Sequence, residues 1–198
     1  MPSNILIALD YSTTSTGYAI FEINPPRLVD YGLIKPNLKA VKGTAYPETQ
    51  LLKMLDIGEK VLNLIENYNP DLIVIEEVTG GKQRLGQKVL NGGHFILLNI
   101  LRDYLPNIRY YDVSGKNGWR THLQMRYSET DKLHNKEAKK LNPSLGRDQK
   151  LPKITHKTLA CRYANRHYNT DLDETRKKTD EDMADAICLG ASFLKFGS

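Results

Sequence analysis

A chain of 198 residues that is 40% hydrophobic and 26% charged can bury one sizeable core and leaves little material for a second. Its longest apolar runs, residues 72–75 and 95–101, fall far short of the roughly 20 residues a membrane span needs, and the opening residues lack a basic leader and read as a strand rather than a signal peptide. Cys161 and Cys188 have no CxxC spacing, which argues against a zinc site and a disulfide scaffold and fits a reducing cytoplasm. The formal net charge of +5 is unevenly spread: residues 115–178 hold 16 Lys/Arg against 7 Asp/Glu, so the remainder of the chain is net negative. Such asymmetry suggests a polyanionic partner, nucleic acid above all, the alternative being a solvated polar insertion.

In chain order, residues 5–9 form a nearly continuous apolar run ended by Asp10. A Ser/Thr-rich turn follows, and residues 17–23 and 27–34 resume with strand-like alternation, separated by Asn24, Pro25 and Pro26. Leu51, Leu52, Leu55, Ile57, Val61, Leu62, Leu64 and Ile65 recur at helical spacing, and Asn69 and Pro70 stop that helix. Leu72, Ile73, Val74 and Ile75 read as a central strand buried on both faces, ended by Glu76 and Glu77. Gly80 and Gly81 break the chain before a helix over 83–101, whose second half is apolar on more faces than one sheet covers. Residues 107–113 are a further strand. Residues 114–153 show no clear period and read as a basic, polar insertion. Helices are expected from about 155 to 167 and from 179 to about 196. There is no internal repeat. The order predicts a single α/β domain over 1–198, with a mixed central sheet and helices on both faces.

Two acids close strands, Asp10 and Glu76, and two more, Asp182 and Asp185, lie three apart at the start of the last helix, where i and i+3 share a face. Carboxylates collected from two strand ends and one helix start suit hard cations: Mg²⁺ is held by a few carboxylates, water and substrate phosphate oxygens. Two such ions about 4 Å apart activate a water and stabilise the leaving oxygen in phosphodiester cleavage. Each acid also has a structural reading. Asp10 fits a turn cap, Glu76 or Glu77 a solvent-facing strand end, and Thr179 with Asp182 a capping box that leaves Asp185 as a first-turn acid.

The motifs around these acids carry a resemblance. Asp10, Ser12 and then Thr16, Gly17 and Tyr18 resemble the opening strand and turn of the RuvC-like Holliday junction resolvases. Ile75, Glu76, Glu77 and Val78 resemble their Ile-Glu-Gln-Val motif, which singles out Glu76. Asp182, Met183, Ala184, Asp185, Ala186 and Ile187 resemble their C-terminal acidic motif. The three occur in the family's order, and the resemblance covers roughly residues 4–113 and 155–196. It implies an RNase H-like fold and a nuclease that resolves four-way or other branched DNA as a homodimer. It also implies that Asp10, Glu76, Asp182 and Asp185 are catalytic and hold two Mg²⁺ ions, with Mn²⁺ a substitute. The chain departs from the pattern at Val78, Thr79, Gly80 and Gly81, where the family commonly has an aromatic residue. The basic insertion is closer to the divergent bacteriophage versions, which implies the host cytoplasm.

The charge pattern nominates Lys82, Arg84, Lys88, Lys116, Arg120, Lys132, Lys136, Lys139 and Lys140 as DNA contacts. Trp119 is either a base-stacking residue or a core anchor. His122, His134, His156 and His167 match no zinc spacing. Three other functions compete. The first is an actin or sugar-kinase type phosphate-binding module, which needs a second lobe that 198 residues leave little room for. The second is a DNA-binding protein that has lost catalysis, which requires a missing carboxylate. The third is an RNase H-like nuclease acting on RNA–DNA hybrids.

Overall fold

The structure, a computed structural model, describes residues 4–37, 39, 41–77, 84–113, 115–175 and 178–197. Five strands form one sheet: β1 (Ile5–Asp10), β2 (Thr16–Glu22), β3 (Arg27–Ile34), β4 (Leu72–Glu76) and β5 (Ile108–Tyr111), in the order β3-β2-β1-β4-β5. The first three run antiparallel as a meander, while β4 pairs parallel with β1 and β5 parallel with β4. β1 and β4 are central, which is why they are apolar at successive positions instead of alternating.

The sheet is covered on both faces. Ile7, Leu9, Ile20, Ile73 and Ile75 pack toward α1 (Glu48–Tyr68) and α2 (Arg84–Ile100), meeting Ile57, Val61, Ile65, Leu97 and Leu101. Leu6, Ala8, Ala19, Phe21 and Val74 pack on the opposite side toward α5 (His156–Tyr168) and α6 (Lys178–Phe196). Each fully buried Leu, Ile or Phe is worth about 1.5–3 kcal/mol, so the two layers fix the strand register firmly. Asn69 ends α1 in the left-handed region at φ 45°, its N–H bonded to the Ile65 carbonyl, as the Asn-Pro stop predicts. Among the described residues, no helix is long and apolar enough to cross a membrane. Cys161 and Cys188 are free and buried.

The stretch expected to lack period is structured. It holds a single-turn helix, α3 (Trp119–His122), and a thirteen-residue helix, α4 (Glu129–Leu141). Ser128 caps α4: its hydroxyl accepts from the Asp131 N–H while the Asp131 carboxylate accepts from the Ser128 N–H. Only Asp131 and Ala138 of α4 are buried, so its apolar stripe is too thin to register as a period. Polar links dock it instead. Asp131 pairs with Arg162 of α5 at 2.8 Å, and the Asn135 side chain bonds both the N–H and the carbonyl of Ile154. β5 is also shorter than expected, because the carbonyls of Asp112 and Val113 accept from the Trp119 and Arg120 N–H groups rather than continuing the sheet.

Candidate active site

Parallel pairing aligns Leu9 with Ile75, so Asp10 and Glu76, the next residues, stand side by side at the C-terminal ends of the two central strands. The start of α6 crosses these strand ends. It can do so because Gly17, the register partner of Asp10, has no side chain: a Cβ there would lie 2.0 Å from the Asp182 carbonyl oxygen. The Thr-Gly step after the hairpin turn is thus the contact that brings Asp182 and Asp185 to Asp10 and Glu76. Farther along α6, Gly190 plays a similar part against Phe21, where a Cβ would approach the ring to 2.5 Å.

The four carboxylates are embedded in donors and cations. Ser15 Oγ donates to Asp182 Oδ2. Lys157 Nζ, from the first turn of α5, reaches Asp182 Oδ1 at 3.0 Å and Asp185 Oδ2 at 3.4 Å. Arg120 Nη2 lies 3.5 Å from Asp185 Oδ2. Trp119 Nε1 donates to Glu76 Oε2 at 3.1 Å. Asp185 Oδ1 is buried and has no hydrogen-bond partner. The helix-capping reading of Thr179 and Asp182 does not hold: α6 already starts at Lys178, and the Asp182 carboxylate turns to Ser15 and Lys157.

Burial and mutual repulsion set the charge of this cluster. Burial, then the charges of Glu76 and Asp185, holds Asp10 well above the usual carboxylate range. Glu76 is pushed up to about 7 by burial and the Asp185 charge, against the pull of Arg120, the Trp119 N–H and Lys157. Burial also raises Asp185, opposed by Lys157 and Arg120. Lys157 is raised: burial alone would lower it, but Asp185, Asp10 and Asp182 together outweigh that.

Among the described residues, no three ligating side chains stand close enough to hold one ion as they are, with Lys157 and Arg120 neutralising the cluster instead. The donor chemistry nevertheless fits a hard divalent cation. Four carboxylates converge, one oxygen is orphaned in the interior, and burial together with the charges of Glu76 and Asp185 holds Asp10 against ionisation despite Lys157. A raised carboxylate pKa also sets a sign for stability. A folded state that holds protons more tightly than the unfolded chain is most stable below the unfolded value and loses that stability as pH rises through the folded one. With Glu76 moving from 4.5 to about 7, the metal-free protein should melt roughly 2–8 °C lower at pH 8 than at pH 5. Mg²⁺ should recover more of the midpoint at pH 8 than at pH 5. Thermal melts with and without the ion check this, and a midpoint that rises across that window contradicts it.

Sequence reasoning missed Ser15 and Lys157, and it gave Arg120 and Trp119 other duties. Trp119 is fully buried, so the core-anchor reading holds and base stacking does not, and its N–H serves Glu76. Arg120 turns one arm of its guanidinium to Asp185. Lys88, Lys116, Lys136, Lys139 and Lys140 are exposed, and Lys132 is exposed but paired with Glu129 at 2.6 Å. Arg84 opens α2, while Lys82 and the Val78, Thr79, Gly80 and Gly81 stretch lie outside the described residues. His122 bonds the Tyr111 hydroxyl and His134 the Pro152 carbonyl, while His167 lies against Tyr163.

No protein-family model matches the sequence, and no curated protein matches it significantly. Solved structures do match. RuvC of Thermus thermophilus, in complex with a Holliday junction substrate, is 13% identical over 98% of this chain and 96% of its own, at a TM-score of 0.53. The yeast mitochondrial Holliday junction resolvase Ydc2 is 14% identical over 98% of this chain and 79% of its own, at 0.55. The fold is the RNase H-like fold of RuvC. Within it, Asp10, Glu76 and the start of α6 lie together at the C-terminal ends of β1 and β4, and Arg120 of α3 and Lys157 of α5 supply the cations beside them.

Proposed function

We propose that this protein is a divalent-metal-dependent endonuclease that resolves four-way or otherwise branched DNA. The observation that carries the reading is the meeting of Asp10, Glu76, Asp182 and Asp185 where β1, β4 and α6 converge. In this reading those four would hold two Mg²⁺ ions, for which Mn²⁺ can substitute; the ions supply an activated water and charge stabilisation at the leaving oxygen. Ser15 orients Asp182 and the Trp119 N–H orients Glu76. Lys157 offsets the negative charge of Asp182 and Asp185 in the resting protein and would have to give them up to bound ions. The exposed lysines of α4 and α2 would attract the DNA backbone without reading sequence.

The test is a cleavage assay with Mg²⁺ on four-way junctions, forks, plain duplex and RNA–DNA hybrid. Cleavage of branched DNA at least tenfold above the others supports the reading. Preferential cleavage of the hybrid replaces it with the RNase H-like alternative, and no cleavage of any of them removes it.

A junction offers two equivalent strands, which suits a two-fold dimer. On α2, Phe95 is 74% exposed beside a groove of about 430 Å³ shaped by Asn91, His94, Leu98 and Tyr110. Pairing through this face is the arrangement we favour. Phe95→Asp should then weaken dimerisation about 10²–10⁴-fold, the loss of one buried Phe per copy. Light scattering that shows wild type and variant equally monomeric, free and on junction DNA, rules this out.

A further inference from the structure

A second concavity adjoins the carboxylates. It is about 340 Å³ and lined by Arg120, Thr121, Met125, Arg126 and His156, two guanidiniums and an imidazole with no acid among them. Arg120 belongs to both places. One arm of its guanidinium meets Asp185, while its Nε–H is buried with no hydrogen-bond partner, and a buried donor left unmade is costly. Arg126 is exposed, and among the described residues no carboxylate pairs with it. Thr121 is already used, its hydroxyl donating to the Gly115 carbonyl.

His156 is the first residue of α5, and its ring lies 4.9 Å from that of Tyr127. Burial, then the Arg120 charge, lowers its pKa, so the ring is neutral at pH 7 and keeps one N–H to donate. The pocket therefore sits at the N-terminal turn of a thirteen-residue helix, where the helix field favours negative charge. Its two guanidiniums can only donate, and the His156 ring adds one N–H. The complementary ligand is an anion with several acceptor oxygens, and the neighbouring carboxylate cluster says which anion is at hand if the nuclease reading is right.

We propose that this pocket seats a backbone phosphate of the DNA strand being cut, next to the phosphate at the carboxylates, with Arg126 and His156 as donors and Arg120 bridging the two sites. The inference rests on the nuclease reading and deepens it. Two phosphates of one strand held at a fixed spacing orient the bond between them, which no single charge can do.

The experiment is a phosphate-by-phosphate scan. Single phosphates of the cut strand of a four-way junction are replaced by neutral methylphosphonates, and binding is measured in the Asp10→Asn background to prevent cutting. One position beside the cut site should weaken binding about tenfold, the loss of a charge-assisted contact. Arg126→Ala should erase that one penalty and reduce the salt slope by about 1. His156→Leu should reduce the same penalty, whereas Lys139→Ala should weaken binding without altering the positional profile. An unchanged penalty in Arg126→Ala overturns the proposal. A second arm needs no cleavage: inorganic phosphate is titrated into the free wild-type protein while the Arg126 Nε–H and His156 ring signals are followed by NMR. Shifts at both in the wild type, with the His156 shift lost in Arg126→Ala, support the pocket even if the protein cuts no DNA, an outcome that would remove the nuclease reading alone. No shift at either, in a protein that does cut junctions, removes the pocket alone.

Discussion

Asp10→Asn should abolish cleavage, by about 10³-fold or more, while leaving junction affinity within about threefold. The two effects separate because they rest on different charges. In the proposed function, binding would depend on lysines and arginines that meet phosphates, and among the described residues no ion pair joins one to Asp10. Cleavage in the proposed mechanism needs negative charge where β1 and β4 end, and Asn keeps the shape of Asp while removing that charge. The variant should also be at least as stable as wild type without metal. Burial and the charges of Glu76 and Asp185 already hold Asp10 well above the usual carboxylate range, so a neutral amide relieves repulsion instead of breaking a bond. Quantitative cleavage, filter or gel-shift binding and a thermal melt on the same preparation read all three. Cleavage within tenfold of wild type would take Asp10 out of the site.

The strands and the longer helices were legible because their burial is simple. β1 and β4 are covered on both faces and are therefore apolar at consecutive positions, and α1 and α2 carry full apolar stripes. α4 was not legible, since it is held by Asp131, Asn135 and a cap rather than by an apolar face. The carboxylates could be nominated because each ends a strand or shares a helix turn. Their cations could not: Lys157 is one of 16 basic residues between 115 and 178, and nothing in its spacing distinguishes it from those that face water. Arg120 was nominated for its positive charge alone, and its sequence position gave no sign that one arm of its guanidinium would lie 3.5 Å from Asp185. Trp119 shows the same limit. Its size predicts a core position, but only the fold reveals that its N–H ends at Glu76.

Gly17→Ala should be among the most damaging small changes available, costing about 3 kcal/mol or more and lowering the melting midpoint by roughly 10 °C. The added Cβ would stand 2.0 Å from the Asp182 carbonyl oxygen and 2.5 Å from its carbon. Both are backbone atoms of a helix, so no side-chain rotation clears the space, and α6 must move off the sheet by about an ångström. That movement reaches function by a second route. Asp182 and Asp185 ride on α6, while Asp10, the register partner of Gly17, stays with the sheet. A misplacement of about 1 Å between catalytic groups can cost on the order of 10²-fold in rate, so cleavage should fall even at temperatures where the variant is fully folded. The paired control is Gly92→Ala in α2, where a Cβ meets nothing within 4 Å; it should stabilise the helix by about 0.5–1 kcal/mol and leave cleavage unchanged. If Gly17→Ala melts and cuts like wild type while Gly92→Ala behaves as expected, the close approach of α6 to β2 is not what sets the spacing of the carboxylates.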